Sequence, residues 1–357
     1  MLNISITKTT NPKAKPQDES KLGFGRIFTD HMFMMDYYDG AWHDARIVPF
    51  DYIPIHPAST VLHYGVEIFE GMKAYRNADG KIRMFRPIEN ARRMNKSAER
   101  LCLPEIPEED FVQILDTLVE LDKDWIPHSE GTSLYIRPFT YGNDEHLGVH
   151  PVKNATFCVI LSPVGPYYAE GINPVKIAIA YHYVRAVRGC TGYAKCGGNY
   201  AASLRAGDRA EKQGITQVLW LDGVERKYIE EVGSMNVMFM IDDEIITPEL
   251  TGSVLPGITR KSCVELLKDK GYKVSERLIS VDELITAAKE GRLQEAWGTG
   301  TAAVVSPIGW LYYEGCEYTM NGGKIGPVTR WLYDTLTAIQ WGYAADTKHW
   351  CHEVCDE

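Results

Sequence analysis

Gly189-Cys190-Thr191-Gly192-Tyr193-Ala194-Lys195-Cys196-Gly197-Gly198-Asn199-Tyr200 is the most unusual stretch in this sequence of 357 residues. Its single lysine, Lys195, lies in a glycine-rich segment without other charges, just before a helical pattern. Glycines let a backbone pass close to another group, and small neutral neighbours suit a lysine that points inward. A desolvated lysine loses its proton more readily, as an amine nucleophile requires. The spacing alone is compatible with a Schiff-base lysine and, as for most lysines, with a solvated loop residue.

Three further features suit a phosphorylated cofactor, although each is weak by itself. Leu255-Pro256-Gly257-Ile258-Thr259 opens a helical pattern, and helix N-termini bind phosphate through free N–H groups. Residues 298–301, Gly-Thr-Gly-Thr, offer more free amides and two hydroxyls, and Arg93 on an earlier helix offers a cationic fork. Glu231 ends a predicted strand in an apolar setting, where a carboxylate that faces water is the simpler local interpretation.

Strand and helix patterns alternate irregularly along the chain, which predicts a mixed α/β (α+β) fold. Strands are predicted at residues 81–85, 133–138, 155–161, 175–181, 216–221 and 236–241. Helices are predicted at 87–101, from Pro107, after Gly198, Gly257 and Ser280, and from Pro327 to about Gly342. Asp222-Gly223 and Asp242-Asp243 supply turns for local antiparallel hairpins. The run at Gly298 lacks the third glycine of a dinucleotide fingerprint, which argues against a doubly wound nucleotide fold.

The length of the chain predicts two domains. Residues 1–21 are polar and are expected to form a flexible N-terminal arm, followed by a small α/β domain over 22–163. Residues 164–175 are rich in proline and glycine and are the predicted interdomain loop, whose Tyr167-Tyr168 pair could close over a pocket. The large domain is predicted over 176–357.

The net charge of −10 argues against nucleic acid as a partner, because phosphates would be repelled by an acidic surface. The eight cysteines show no paired spacing in this large chain, so we expect reduced thiols and no disulfide framework. No apolar run approaches the ~20 residues needed to span a bilayer, and residues 1–20 lack an apolar signal segment. These features predict a cytoplasmic protein with no membrane partner.

Four segments resemble the branched-chain amino acid aminotransferases, fold type IV enzymes that use pyridoxal 5'-phosphate (PLP): residues 193–200, 231–236, 255–260 and 298–302. Further matching segments are Phe24-Gly25 with Thr29-Asp30-His31-Met32, His63-Tyr64, Phe69-Glu70-Gly71-Met72-Lys73-Ala74 and Ser133-Leu134-Tyr135-Ile136-Arg137-Pro138. The resemblance runs in order from about Leu22 to the C-terminus. It implies a homodimer, and in each chain a smaller α/β domain and a larger α/β-barrel-like domain with PLP in the cleft between them.

The resemblance also implies roles for cofactor-binding residues. Lys195 resembles the Schiff-base lysine, and Glu231 resembles the carboxylate that pairs with the pyridine nitrogen of PLP. An anion there keeps that nitrogen protonated, which makes the ring a better electron sink. Tyr200 matches the phenol that hydrogen-bonds the ring oxygen. The phosphate cradle would be formed by Arg93, the backbone N–H groups of Ile258 and Thr259, and Thr301.

The implied substrates are L-leucine, L-isoleucine and L-valine with 2-oxoglutarate, giving branched 2-oxo acids and L-glutamate. Arg137 matches the arginine implicated in recognising the acidic side chain of glutamate. The pocket lining is implied for Phe24, Tyr64, Phe69, Tyr135, Ser234, Thr301 and Ala302. A D-amino acid aminotransferase or an aminodeoxychorismate lyase would keep Lys195 and the phosphate cradle. A non-catalytic dimeric binding protein is the alternative from another class, which the joint presence of Lys195, Glu231, Tyr200 and Arg93 disfavours.

Two regions depart from some family members or suggest other chemistry. Ala303 and Ser306 stand where mammalian forms carry a redox-active C-x-x-C pair, so no such switch is expected. Cys351-His352 and Cys355 faintly suggest metal ligation, but no fourth ligand is evident nearby, and we expect a frayed terminus and no metal.

Overall fold

Two nine-stranded sheets form the framework of the protein, in a computed structural model that describes residues 1–165 and 172–356. The first compact unit comprises Met1–Ala169, Ala194–Gly197 and Ala338–Glu357, and the second comprises Glu170–Tyr193 and Gly198–Thr337. The predicted mixed α/β class is confirmed. No helix within the described residues is long and apolar enough to cross a membrane.

The strands, numbered in chain order, are β1 (Ser5–Ile6), β2 (His31–Tyr38), β3 (Ala41–Pro49), β4 (Glu67–Phe69), β5 (Met72–Arg76), β6 (Lys81–Phe85), β7 (Ser133–Gly142), β8 (Ala155–Val164), β9 (Val175–Ala180), β10 (Gln217–Leu221), β11 (Ile229–Val232), β12 (Asn236–Ile241), β13 (Glu244–Thr247), β14 (Lys273–Glu276), β15 (Leu293–Gly300), β16 (Val304–Tyr313), β17 (Cys316–Thr319) and β18 (Cys351–Asp356). The α-helices are α1 (Thr60–Tyr64), α2 (Pro87–Leu101), α3 (Glu108–Leu121), α4 (Gly197–Ala201), α5 (Leu204–Glu211), α6 (Ile258–Asp269), α7 (Val281–Lys289) and α8 (Pro327–Gln340).

The sheet of the first unit has the strand order β1-β3-β2-β8-β7-β5-β6-β18, with β4 paired to β7. Helix α3 packs an apolar stripe into its core, formed by Phe111, Ile114, Leu115, Leu118 and Val119. This spacing of three and four residues places all five side chains on one helical face. Pro107 precedes the helix and three acidic residues occupy its first turn, an arrangement that suits the positive end of the helix dipole.

Helix α2 carries the side chains that matter for the candidate site. Pro87 occupies its start, where a missing N–H costs nothing. The helix buries apolar residues at Ala91, Met94 and Ala98. A second buried stripe is polar, and it consists of Asn90, Arg93 and Ser97. One face of the helix therefore packs into the core, and the adjacent face carries buried polar side chains.

The sheet of the second unit has the order β11-β10-β9-β16-β15-β12-β13-β14, with β17 paired to β16. The two predicted hairpins are confirmed, because β10 pairs antiparallel with β11 and β12 with β13. Asp222 fixes the first turn by accepting hydrogen bonds from four backbone N–H groups, those of Val224, Glu225, Lys227 and Tyr228. Asp and Asn suit turns for this reason.

Element boundaries agree with several predictions and differ in others. Strand β6, helix α2 and strand β12 begin and end where the sequence predicts. Strand β7 runs on to Gly142 and β8 to Val164, so the predicted interdomain loop begins inside β8. The sheet ladder between β7 and β8 is continuous over ten residue pairs, which holds this proline-containing end in register. The Tyr167-Tyr168 pair lies outside the described residues.

Both ends of the chain contact the sheet of the first unit. Ser5 and Ile6, in the predicted flexible arm, pair in parallel with Arg46 and Ile47 of β3. At the other end, the expectation of a frayed terminus is wrong, because β18 pairs antiparallel with β6. Polar composition hid this strand, since an edge strand needs few apolar side chains. Within the described residues, no cluster of His, Cys, Asp and Glu could hold a metal ion.

A buried carboxylate anchors α8 to strand β15 of the second unit. Glu295 accepts hydrogen bonds from the backbone N–H groups of Val328 (3.0 Å) and Thr329 (2.8 Å) and from the Thr329 hydroxyl (2.6 Å). These amides belong to the first helical turn, which has no intrahelical acceptors for them. A Cβ at Gly326 would collide with the Glu295 carboxylate, so the close approach requires glycine there.

Glu295→Ala should lower the free energy of unfolding by about 2–4 kcal/mol, because it leaves buried helix N–H groups without acceptors. Urea unfolding of the full chain, monitored by tryptophan fluorescence, would measure the loss. Glu290→Ala is the matched control, since Glu290 is an exposed glutamate whose pair with Arg292 lies at the surface. Equal midpoints for the two variants would contradict the anchoring role.

Candidate active site

The segment Ala194–Gly197 lies in the first unit, although the residues on both sides of it belong to the second. Two backbone hydrogen bonds hold Lys195 there. Its N–H donates to the Ser97 hydroxyl of α2 (2.8 Å), and its carbonyl accepts from the Phe69 N–H of β4 (2.9 Å). The glycines predicted to permit a close approach therefore flank a lysine whose backbone is tied to both a helix and a strand.

The Lys195 side chain lies over the Phe69 ring, with Nζ 4.7 Å from the ring centroid. Desolvation and the nearby Arg93 guanidinium lower the pKa of Lys195, Glu70 acts in the opposite direction, and the resulting pKa is about 8. A substantial fraction of the amine is therefore neutral near physiological pH. The alternative interpretation of Lys195 as a solvated loop residue is not supported by this environment.

Glu70 and Arg93 form a buried ion pair beside this lysine. Arg93 Nε and Nη2 donate to the two carboxylate oxygens of Glu70, each at 2.8 Å, and Asn90 Nδ2 donates at 2.7 Å. Burial alone raises the pKa of Glu70, but Arg93, Lys195 and Asn90 outweigh it and bring the pKa below its ordinary value. The polar stripe of α2 thus places a paired cation and anion next to Lys195.

An aromatic cluster in the same unit surrounds Arg137. Its Nη2 donates to the Tyr135 hydroxyl (2.8 Å), and its guanidinium lies 4.7 Å from the Phe69 ring centroid. Phe24 contacts the Tyr135 ring edge-on at 4.8 Å between centroids. A Cβ at Gly71 would collide with the Tyr135 hydroxyl, so glycine is needed there. The structure thus brings together Phe24, Phe69, Tyr135 and Arg137, four of the residues that the resemblance named.

Tyr64 lies at the end of the short helix α1, where it is exposed. The centroids of its ring and of the His63 ring are 6.2 Å apart. The remaining predicted residues belong to the second unit. Tyr200 lies on α4, Ser234 in the exposed turn between β11 and β12, Ile258 and Thr259 at the start of α6, and Thr301 with Ala302 in the turn after β15.

Glu231 is buried in the second unit, so the interpretation of a carboxylate that faces water is wrong. It accepts a hydrogen bond from the Leu255 N–H (2.7 Å) and lies 3.2 Å from Arg185 Nε. Arg185 also donates to the backbone carbonyls of Gly192 and Ser253. Sequence reasoning missed Arg185, because it lies in an irregular segment that no periodicity distinguishes.

Glu230 precedes Glu231 on strand β11 and lies in a different environment. It accepts a hydrogen bond from the Ser253 hydroxyl. Burial raises its pKa, and the bond from Ser253 and the Arg185 charge only partly offset that effect. Glu231 pairs directly with an arginine, and an arginine that close favours the ionised form of a carboxylate. Of the two carboxylates, Glu231 is therefore the one that lies at ion-pair distance from an arginine.

Helix α6 begins at Ile258 after a tightly packed Gly257. Asn236 Nδ2 donates to the Leu255 carbonyl (2.9 Å), and its side-chain oxygen occupies the space that a Cβ at position 257 would need. Residues 298–300 are less available than predicted. Gly298 and Thr299 of β15 pair with both β12 and β16, and Gly300 pairs with β16, so this backbone takes part in the sheet.

Comparisons with known proteins identify the family of this chain. A family model, amino-transferase class IV, matches residues 67–309. The "Branched-chain-amino-acid aminotransferase 2" of Bacillus subtilis is 52% identical over 354 residues, covering 99% of this chain and 97% of that protein. The chain belongs to the class IV aminotransferases, among the branched-chain enzymes. Solved structures of branched-chain aminotransferases have a fold similar to that of this chain.

A branched-chain amino acid aminotransferase from Escherichia coli has a TM-score of 0.76 at 26% identity, covering 91% of this chain and 99% of that one. The T.th. branched-chain enzyme complexed with N-(5'-phosphopyridoxyl)-L-glutamate has a TM-score of 0.72 at 27% identity, with 90% and 98% covered. This aminotransferase therefore shares both family and fold with PLP-dependent enzymes.

The apoprotein should show a Lys195 amine that becomes reactive near pH 8, because only the neutral amine is nucleophilic and its pKa is lowered to about 8. Trace acetylation across pH 6–11, read peptide by peptide by mass spectrometry, would give the titration. Exposed Lys289 serves as the reference lysine in the same digest. A Lys195 profile that coincides with the Lys289 profile would contradict the assigned environment.

Proposed function

We propose that this protein transfers the amino group of L-leucine, L-isoleucine or L-valine to 2-oxoglutarate, using PLP held as a Schiff base on Lys195. The observation that carries the proposal is the desolvated Lys195 amine, placed beside Arg93, Glu70 and the aromatic cluster around Arg137. The 52% identity to a named branched-chain enzyme supports the reaction class. The phosphopyridoxyl-glutamate adduct of the T.th. relative supports glutamate as the second amino acid.

The residues present fit PLP. Lys195 would bind it covalently, and Glu231, which lies 3.2 Å from Arg185 Nε, would pair with the pyridine nitrogen. Tyr200 would donate to the ring oxygen. The phosphate would be held by Arg93, the N–H groups of Ile258 and Thr259 at the start of α6, and Thr301. When bound, PLP supplies an electron sink for the carbanion formed at the substrate Cα.

Lys195 has a second task in the proposed reaction. With substrate bound, its neutral Nζ would act as the base that takes the proton from the substrate Cα, and its protonated form would act as the acid that gives the proton back. A pKa of about 8 suits this exchange, because a catalytic acid–base group works best near the operating pH. The backbone bonds to Ser97 and Phe69 hold the base of the side chain while Nζ moves.

The aromatic cluster around Arg137 would accept both side-chain types of the reaction. A branched apolar side chain gains about 0.8 kcal/mol for each methylene that it buries. A carboxylate in the same space would cost several kcal/mol without a partner, on the order given for unpaired buried charge. Arg137, held by Tyr135 and over Phe69, would supply that partner.

We also propose that the protein is a cytoplasmic homodimer. The eight cysteines of the sequence support a reducing compartment, since the described structure holds them as free thiols. The resemblance to the branched-chain aminotransferases, which implies a homodimer, supports a second copy as the partner.

PLP-loaded protein should transaminate L-leucine, L-isoleucine and L-valine with 2-oxoglutarate, and it should leave D-alanine and aminodeoxychorismate unchanged. Lys195→Ala should lower turnover by at least about 10²–10⁴-fold, the size of general acid–base loss alone. Turnover of leucine by the freshly loaded variant within tenfold of wild type would remove Lys195 from its role. Preferred turnover of D-alanine or aminodeoxychorismate would instead assign one of the two related activities.

Arg137→Met should lower kcat/KM for glutamate and 2-oxoglutarate by about tenfold or more, because it leaves their side-chain carboxylate without a partner. Leucine, measured in its own half-reaction, should change far less. Half-reaction titrations separate the two amino acids, which a coupled assay would mix. Equal losses for leucine and glutamate would show that Arg137 supports the pocket only structurally.

A further inference from the structure

Glu67 is a charged residue close to the candidate site that neither the motifs nor the proposed mechanism uses. It lies on β4, two residues before Phe69, so the two side chains project from the same face of the strand. Phe69 lies against both Lys195 and Arg137, with each cation 4.7 Å from its ring centroid. Glu67 therefore lies on the same strand face as Phe69, whose ring contacts Lys195 and Arg137.

The Glu67 carboxylate lies directly against the segment that carries Lys195. A Cβ at Gly197 would collide with Glu67 Oε1, and the backbone N–H of Gly197 stabilises the charged carboxylate. Together with the bond from the Phe69 N–H to the Lys195 carbonyl, β4 contacts this segment at two points. Position 197 must be glycine for the carboxylate to come so close.

Arg137 is the other charged group that acts on Glu67. Burial raises the pKa of Glu67, whereas the Gly197 N–H and the charge of Arg137 act in the opposite direction. The two side chains nevertheless form no ion pair within the described residues, and the Arg137 guanidinium instead donates to the Tyr135 hydroxyl. Arg137 thus stays available to a further carboxylate, while Glu67 offsets part of its positive potential.

We infer that Glu67 is a specificity-determining residue, whose negative charge weakens the attraction of Arg137 for an acidic side chain and thereby favours branched apolar substrates. The inference rests on the proposed function, because it assumes that Arg137 faces the substrate side chain. An arginine without this neighbour would bind glutamate and 2-oxoglutarate more tightly. Those compounds would then occupy the site at the expense of leucine.

Glu67→Gln tests this inference, because the amide keeps the size and the oxygen acceptor near Gly197 but removes the charge. The kcat/KM of glutamate relative to leucine should rise about three- to tenfold, mainly through KM, as expected for one partly solvated charge. Binding of two unreactive acids gives a readout without turnover. Glutarate should bind the PLP-loaded variant more tightly by a similar factor, whereas 4-methylpentanoate should bind unchanged.

Three further variants separate charge from structure. Glu67→Asp keeps the charge and should leave the ratio near that of wild type, and Glu120→Gln on the exposed face of α3 is the control for a lost surface charge. In an Arg137→Met background, Glu67→Gln should no longer change the glutamate-to-leucine ratio. A ratio unaltered by Glu67→Gln in the wild-type background, or one altered equally with and without Arg137, would overturn the inference.

The failure of the proposed function would look different. A wild-type protein that transaminates neither leucine nor glutamate would remove both the function and the inference. A wild-type protein that transaminates both, with the same ratio in Glu67→Gln, would remove the inference alone.

Discussion

The buried ion pair between Glu70 and Arg93 is the constraint on which the candidate site depends. A cation beside Lys195 helps to keep its amine neutral, but an unpaired buried arginine would itself be strongly destabilising. Glu70 offsets that cost by accepting two hydrogen bonds from the guanidinium, and its carboxylate also accepts a hydrogen bond from Asn90. Breaking such a pair by removing one partner typically costs about 3–5 kcal/mol. Removing either partner would therefore destabilise the local fold, and both partners also affect the pKa of the neighbouring lysine.

The secondary structure explains how these groups meet. Asn90, Arg93 and Ser97 follow the spacing of one helical face of α2, so a single helix supplies the partner of Glu70 and the acceptor for the Lys195 N–H. Strands β4 and β7 supply other side chains of the candidate site. Alternate residues of each strand project from the same face of the sheet. Phe69 from one strand and Arg137 from the other consequently contact each other. Few independent contacts are needed to assemble the site.

The sequence predicted this arrangement unevenly, for physical reasons. Helix α2 follows from Pro87 and a regular apolar period, which are local signals. The unusual composition around Lys195 marked it from the start, and local patterns also indicated Arg93 and the start of α6. The family resemblance alone named Tyr200, Arg137 and the residues that line the pocket. Arg185 and Glu67 were missed because their importance lies in contacts with residues distant in sequence. The strand β18 was missed for a similar reason, since pairing at a sheet edge leaves little trace in composition.

Lys73 is the alternative to Lys195 as the lysine that binds PLP, because burial also lowers its pKa to about 8. It lies on β5 of the same unit. Reduction of the PLP-loaded protein with sodium borohydride would fix the cofactor to whichever lysine carries it. Digestion and peptide mass mapping would then locate the phosphopyridoxyl group. We expect the group on Lys195 alone, and a label on Lys73, or on neither lysine, would contradict the assignment of Lys195.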